Sequence, residues 1–144
     1  MTSQSSSGAA LEAELERHPR SEFVRLLGCH FDEAGPTRLT GWIEVGPQHH
    51  QPFGILHGGL LSSVVETFAS LGGWLAVRDS GRITVGVTNT TDFLRSTTTG
   101  ILHVIADAVY QGRSQQLWEV AISRASDGKD VARGRVRLQN IDPR

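Results

Sequence analysis

One carboxylate in this sequence is conspicuous for its neighbours. Glu66 sits in an apolar run, residues 58–78, where the nearby polar positions are Ser and Gly, and no Lys or Arg lies three or four residues away to neutralise it. A carboxylate buried without a partner costs several kcal/mol or shifts its pKa upward. Glu66 therefore either reaches solvent or a distant Arg, or is kept for chemistry as a nucleophile or general base. Upstream stands His57-Gly58-Gly59. The start of a helix leaves backbone N–H groups unpaired and carries partial positive charge, and two glycines let a ligand approach those amides without a Cβ in the way. A carbonyl oxygen that gains negative charge during attack, such as that of a thioester, suits this position. His-Gly-Gly alone is equally a tight turn; the acid downstream gives it chemical meaning.

These residues need a helix to hold them, and the spacing predicts one from Gly58 to about Arg78. At about 100° per residue, Leu60, Leu61, Val64, Val65, Phe68, Ala69, Leu71, Gly72, Leu75 and Ala76 fill one half of the wheel. Ser62, Ser63, Ser70, Gly59, Gly73 and Glu66 form a stripe on the other, with Val77 the one apolar intruder. Small residues there predict a second covered face, with a second subunit as the covering element. Elsewhere the pattern is that of strands: residues 26–34, Thr37 to Val45, Ile83 to Phe93, Ile101 to Gln111, Leu117 to Ala125 and Val131 to Gln139. Gly112-Arg113-Ser114 and Asp127-Gly128 separate strands as turns. Two strands, one long helix and four strands predict an α+β fold, an antiparallel sheet packed on one helix. Residues 1–9 read as a flexible tail, Leu11 to Arg17 as a short helix stopped by Pro19, and Ser21 to Leu27 as a short turn. The expected division is 1–20 as a flexible or short-helical segment and 21–144 as a single domain.

At 144 residues the chain fits one domain. Fourteen basic and 15 acidic residues give a net charge of −1, so no basic field points to nucleic acid or an anionic membrane. Mean hydropathy is −0.20, no apolar run is expected to span a bilayer, and MTSQSSSGAA lacks a signal peptide's features. One cysteine permits no intrachain disulfide, which points to a reducing, cytoplasmic location.

Other candidates carry blander readings. His57 invites a general-base role, but orienting its loop through a hydrogen bond is the better reading. Adjacent His49 and His50 lack metal-ligand spacing, and no metal site is expected. Cys29 reads as a small core residue in a strand. Ser62 and Ser63 lack the Gly-x-Ser-x-Gly setting of a serine hydrolase. Trp42, Trp74 and Trp118 read as core or interface residues. Arg133, Arg135 and Arg137 share a strand face that is read as solvated or ion-paired, with a phosphate contact as the sharper alternative.

Gly54-Ile55-Leu56-His57-Gly58-Gly59 followed by Glu66 resembles the hotdog-fold acyl-CoA thioesterases, in particular the phenylacetate-degradation and 4-hydroxybenzoyl-CoA type that uses Glu on the helix. The resemblance continues through Asn89–Arg95, Gly100, Gly112-Arg113-Ser114 and Asp127-Gly128, so it covers roughly residues 35–139. It implies a curved antiparallel sheet wrapped around the helix, with subunits paired as a homodimer or dimer of dimers. It also implies hydrolysis of a small aromatic or medium-chain acyl-CoA, with no cofactor beyond the coenzyme A of the substrate. Glu66 matches the catalytic carboxylate, Gly58 the amide that polarises the carbonyl, Gln51 a loop glutamine near it, and Ser70 a hydroxyl one turn beyond the acid. Gly59, Asn89, Arg95, Arg113 and Ser114 match substrate-binding positions. In this family the acid and the facing amide come from different subunits. Ser96 stands where many relatives carry Pro. The competing expectation is a noncatalytic acyl-CoA or acyl-carrier binding protein on the same fold. A hydratase is disfavoured because its paired Asp/His motif is missing.

Overall fold

Asp127-Gly128 shows how this chain turns one strand back on the next. Gly128 adopts φ 72°, a left-handed conformation that costs a glycine little. The Asp127 carboxylate accepts from Arg124 at 2.7 Å and from the Lys129 N–H at 3.0 Å. The Arg124 hydrogen bond, then that of the Lys129 amide, holds its pKa below the usual carboxylate value. This turn joins two strands of an antiparallel sheet in the computed structural model, which describes residues 6–18 and 22–144.

The elements in chain order are β1 (Ser6–Ser7), α1 (Gly8–Glu16), α2 (Glu22–Leu27), β2 (His30–Ala34), β3 (Arg38–Val45), α3 (Gly58–Val77), β4 (Ile83–Phe93), β5 (Gly100–Gln111), β6 (Gln115–Arg124) and β7 (Asp130–Ile141). They form a seven-stranded sheet ordered β1-β2-β3-β5-β6-β7-β4, antiparallel at every pairing. The sheet packs against α3, so the fold is α+β as expected. Alternation sets which strand face meets the helix. In β3, Leu39, Gly41, Ile43 and Val45 are buried while Arg38 and Glu44 are exposed. In β7, Val136 and Leu138 point to the core and Arg133, Arg135 and Arg137 away from it. Val64, Val65, Phe68 and Ala69 of α3 are fully buried among them. By length and composition α3 is apolar enough to cross a membrane, against the sequence expectation, yet ten of its residues are buried in the fold.

The N-terminal expectations change. Residues 1–5, Pro19 and Ser21 lie outside the described residues, but Ser6–Ser7 pairs with Glu33 and Ala34. Ser7 Oγ accepts from the Ala10 N–H at 3.3 Å and caps α1, so the helix begins at Gly8, ahead of its first apolar repeat. Leu11 is 1% exposed within the main core, and Glu12 accepts the Phe31 N–H at 2.7 Å. Segment 22–27 is helical, and the expected strand 26–34 starts only at His30. Cys29 precedes that strand, and burial pushes its thiol up to about 12, which removes it as a nucleophile at neutral pH.

Candidate active site

The small-residue stripe of α3 meets its own chain. Ser62, Glu66 and Ser70 stand four residues apart, about 6 Å per step along the helix axis, and β4 runs antiparallel beside them. Thr84 Oγ1 donates to the Ser70 carbonyl and Asn89 Nδ2 to the Ser62 carbonyl, each at 2.9 Å. Between these two ties, Gly86 faces Glu66; a Cβ added there would stand 3.4 Å from the carboxyl carbon and from Oε1. Register shifts between Gly86 and Thr88, and this bulge accommodates the extra strand residue so that Asn89 reaches Ser62. β4 of the same chain thus covers part of this line, while Gly59 and Glu66 stay exposed. At the far end, a Cβ on Gly73 would come within 2.4 Å of Leu138, and one on Gly72 within 2.6 Å of Trp118.

Glu66 itself remains exposed. Among the described residues no hydrogen bond or ion pair engages its carboxylate. It lines a cavity of about 430 Å³, within the range of small-molecule sites. One side of that cavity is polar, with Ser62, Ser63, Thr67, Ser70 and Asn89. The other is apolar, with Leu71 from α3, Leu15 from α1 and Phe23 and Val24 from α2. The apolar side was not singled out in the sequence. Its only signal was apolar residues in two short helices, and nothing local ties those helices to Glu66.

The helix start is built by its histidine. His57 is the N-cap of α3, and its Nδ1 accepts the Gly59 N–H at 2.7 Å. That bond occupies the Gly59 amide and the Nδ1 lone pair, as the loop-orienting reading of His57 expects. Among the described residues the Gly58 amide meets no acceptor, and the Phe93 ring packs over Gly58, within 2.7 Å of where a Cβ would stand. Gln51 belongs to the preceding loop. Its amide N–H donates to the Ile55 carbonyl at 2.8 Å and its carbonyl accepts from Gly54 at 3.0 Å, while its side-chain Oε1 accepts the Phe53 N–H. His49 is buried, accepting from the Gly46 N–H at 3.1 Å through Nδ1 and bonding the Leu26 carbonyl at 2.9 Å through Nε2. His50 Nε2 bonds the Thr98 carbonyl at 2.7 Å. Both rings are engaged with backbone, and among the described residues no His/Cys/Asp/Glu group is arranged to hold a metal.

The remaining predicted residues separate. Arg95 follows β4 and donates to the Asp130 carbonyl at 2.8 Å. Arg113 and Ser114 lie in the β5–β6 turn, where the Arg113 carbonyl accepts from Arg82 at 2.7 Å and that of Ser114 accepts the Asn140 N–H at 2.8 Å. These turns are at opposite ends of β4, roughly 30 Å apart at strand rise. One chain therefore does not bring Arg95 and Arg113 onto a single phosphate. On the sheet's outer face, Arg133 pairs with Asp130 at 3.0 Å and Arg135 with Glu119, which is the ion-paired reading of that strand. Trp118 is fully buried and donates to Gln116 Oε1 at 2.9 Å; Trp42 stacks on His30, and Trp74 is half-buried at the core's edge.

A helix that opens on His-Gly-Gly, with an unpartnered acid two turns on beside a cavity, agrees with the family match. The model of the thioesterase superfamily matches residues 53–131, from the loop before α3 into β7. The chain belongs to that superfamily. Rv1847 of Mycobacterium tuberculosis (strain H37Rv) is 41% identical over 120 residues, 82% of this chain and 85% of its own. The proofreading thioesterase EntH of Cronobacter turicensis is 33% identical over 99 residues, 69% of this chain and 72% of that one. Among solved structures, a mutant of the thioesterase PA1618 from Pseudomonas aeruginosa superposes with TM-score 0.85 at 28% identity, covering 96% of each chain. The hotdog arrangement and the enzyme class, thioester hydrolase, are those of the superfamily.

Proposed function

We propose that this thioesterase hydrolyses a small aromatic or medium-chain acyl-CoA, as the phenylacetate-degradation and 4-hydroxybenzoyl-CoA type does, with Glu66 as the reacting carboxylate. The observation that carries this reading is Glu66 itself: an acid with no partner among the described residues, lining a 430 Å³ cavity, in a helix that could have placed any small residue there. Glu66 attacks the thioester carbonyl or deprotonates the water that does. The Gly58 amide, the free donor at the helix start, stabilises the oxyanion. The tetrahedral intermediate collapses with release of the thiolate, which takes up a proton. Where water attacked, the acid product forms at that step; where Glu66 attacked, the acyl group is left on Glu66 as a mixed anhydride that water then hydrolyses to the acid. His57 holds the turn that presents Gly58, and Gln51 belongs to the loop beside it. Asn89 fixes β4 against the turn of α3 that precedes Glu66.

Helix geometry supports a site shared between two copies. Gly58 and Glu66 are eight residues apart on one helix, a rise of about 12 Å, whereas an oxyanion donor works at about 3 Å from the oxygen it stabilises. Both reach one carbonyl if Gly58 comes from a second copy. β4 suits such pairing: it is the last strand of the sheet, 11 residues long, with Val85 and Val87 exposed. Long, apolar edge strands invite another strand.

The test is release of free thiol from a panel of acyl-CoA thioesters, from acetyl through dodecanoyl and including benzoyl and phenylacetyl. Turnover on aromatic or medium-chain members is expected. Binding of these thioesters with no hydrolysis of any of them contradicts the reading and leaves a binding protein.

A further inference from the structure

A second cavity, of about 240 Å³, lies between α1, α2 and the start of β2, and its lining mixes Cys29 and Phe31 with the ionisable side chains of Glu12, Glu16, Arg25 and His30. It and the Glu66 cavity share two lining residues, Leu15 of α1 and Val24 of α2. Two side chains that belong to the walls of both spaces are what divides them. The lining of the Glu66 cavity is also uneven in kind. Its hydrogen-bonding groups come from α3 and Asn89, while Leu15, Phe23 and Val24 make its far side apolar. Among the described residues that line it, Glu66 is the one ionisable side chain. A group that extends from Glu66 toward α2 therefore passes from a polar zone into an apolar one and meets Leu15 and Val24.

We infer that Leu15 and Val24 are specificity-determining residues: they form a septum that stops the acyl group and so set the longest acyl chain accepted. This rests on the proposed reading that an acyl thioester occupies the Glu66 cavity. Removing the septum opens the second cavity to longer chains, and enlarging it shortens the limit. Leu15 packs against the core, whereas Val24 is half-buried and outside the core. Val24 is therefore the position to vary.

The experiment measures binding of non-hydrolysable S-alkyl-CoA thioethers, from S-ethyl to S-tetradecyl, to the wild-type chain, V24A and V24W by calorimetry. Each methylene that finds apolar cover tightens binding about fourfold, so affinity climbs with chain length and then levels where the septum is met. In V24A the levelling point moves at least two carbons longer, and the affinity ratio of long to short thioethers rises about 15-fold at that length. In V24W the point moves shorter. Should V24W not fold, as judged by circular dichroism, V24F takes its place. A levelling point that stays within one carbon of wild type in V24A and in the large-residue variant overturns the septum. Because the probes cannot be hydrolysed, the two readings fail separately. Thiol release with an unmoved levelling point removes the septum and keeps the enzyme. A shifted point without thiol release does the reverse, and no binding at any length removes both.

Discussion

The two ends of α3 carry the same kind of residue and put it to opposite use. Toward the C-terminus, Gly72 and Gly73 let the sheet close on the helix, and the polar groups there are all engaged. Buried Gln116 donates to the Gly73 carbonyl at 3.1 Å and to Asn140 Oδ1 at 2.9 Å, and accepts from Trp118 and Gln111. Asn140 donates onward to the carbonyls of Gly112 and Arg113. Toward the N-terminus, Ser62 and Ser70 are tied to β4 through their carbonyls, yet Glu66 between them has no partner and opens on a cavity. A satisfied network rigidifies what it joins. A charge held among small residues without a partner contributes nothing of that kind. In the proposed mechanism structure falls to one end and chemistry to the other, and substitutions at each end separate the two.

The largest effect is expected from Glu66→Gln, which keeps size and hydrogen bonding but removes the base. Steady-state turnover falls roughly 10²–10⁴-fold, while the thermal midpoint stays near that of wild type because no folded-state partner is lost. Gln116→Ala gives the opposite profile. It strands the Trp118 indole N–H and Asn140 Oδ1 in a buried setting, so denaturant unfolding shows a loss of about 2–4 kcal/mol with turnover per folded molecule little changed. Asn89→Ala sharpens the boundary between the ends. It frees the Ser62 carbonyl and loosens β4 beside Glu66, and is expected to cost about 1 kcal/mol in stability, with a several-fold drop in turnover and a smaller change in KM. An Asn89→Ala protein with full turnover would make that tie purely structural.

Much of this contrast was legible before the structure. The bounds of α3 and of β4 through β7 follow from apolar spacing and turn residues, and Glu66 was conspicuous because its neighbours were Ser and Gly. The cover over the stripe was not legible, since strand order is a tertiary property: β4 follows α3 in the chain yet pairs with β7, the last strand, and so returns along the helix it left. The early start of α1 depends on Ser7 acting as a cap and on Gly8 lying against the Phe31 backbone, neither visible in a periodic pattern. The structural role of His49 was not legible either, because one of its backbone partners, the Leu26 carbonyl, is distant in sequence and the other, the Gly46 amide, is unremarkable in type. Leu15, Phe23 and Val24 were missed for a similar reason: helices this short carry too few residues for periodicity to show which side they bury.

In the proposed mechanism, Glu66 of one copy and the Gly58 amide of another make one thioester site. It is tested most directly by mixing two variants. Glu66→Gln lacks the base, and Gly58→Pro lacks the amide N–H at a first helical position whose backbone suits proline. The Gly58→Pro variant is made in a Phe93→Ala background, which clears the ring packed over Gly58, with Phe93→Ala alone as the active reference. Each alone is expected to be nearly inactive. Unfolded together and refolded, random pairing into two-fold dimers rebuilds one intact site in each mixed pair and restores about a quarter of wild-type turnover. A mixture no more active than either variant by itself would contradict the account.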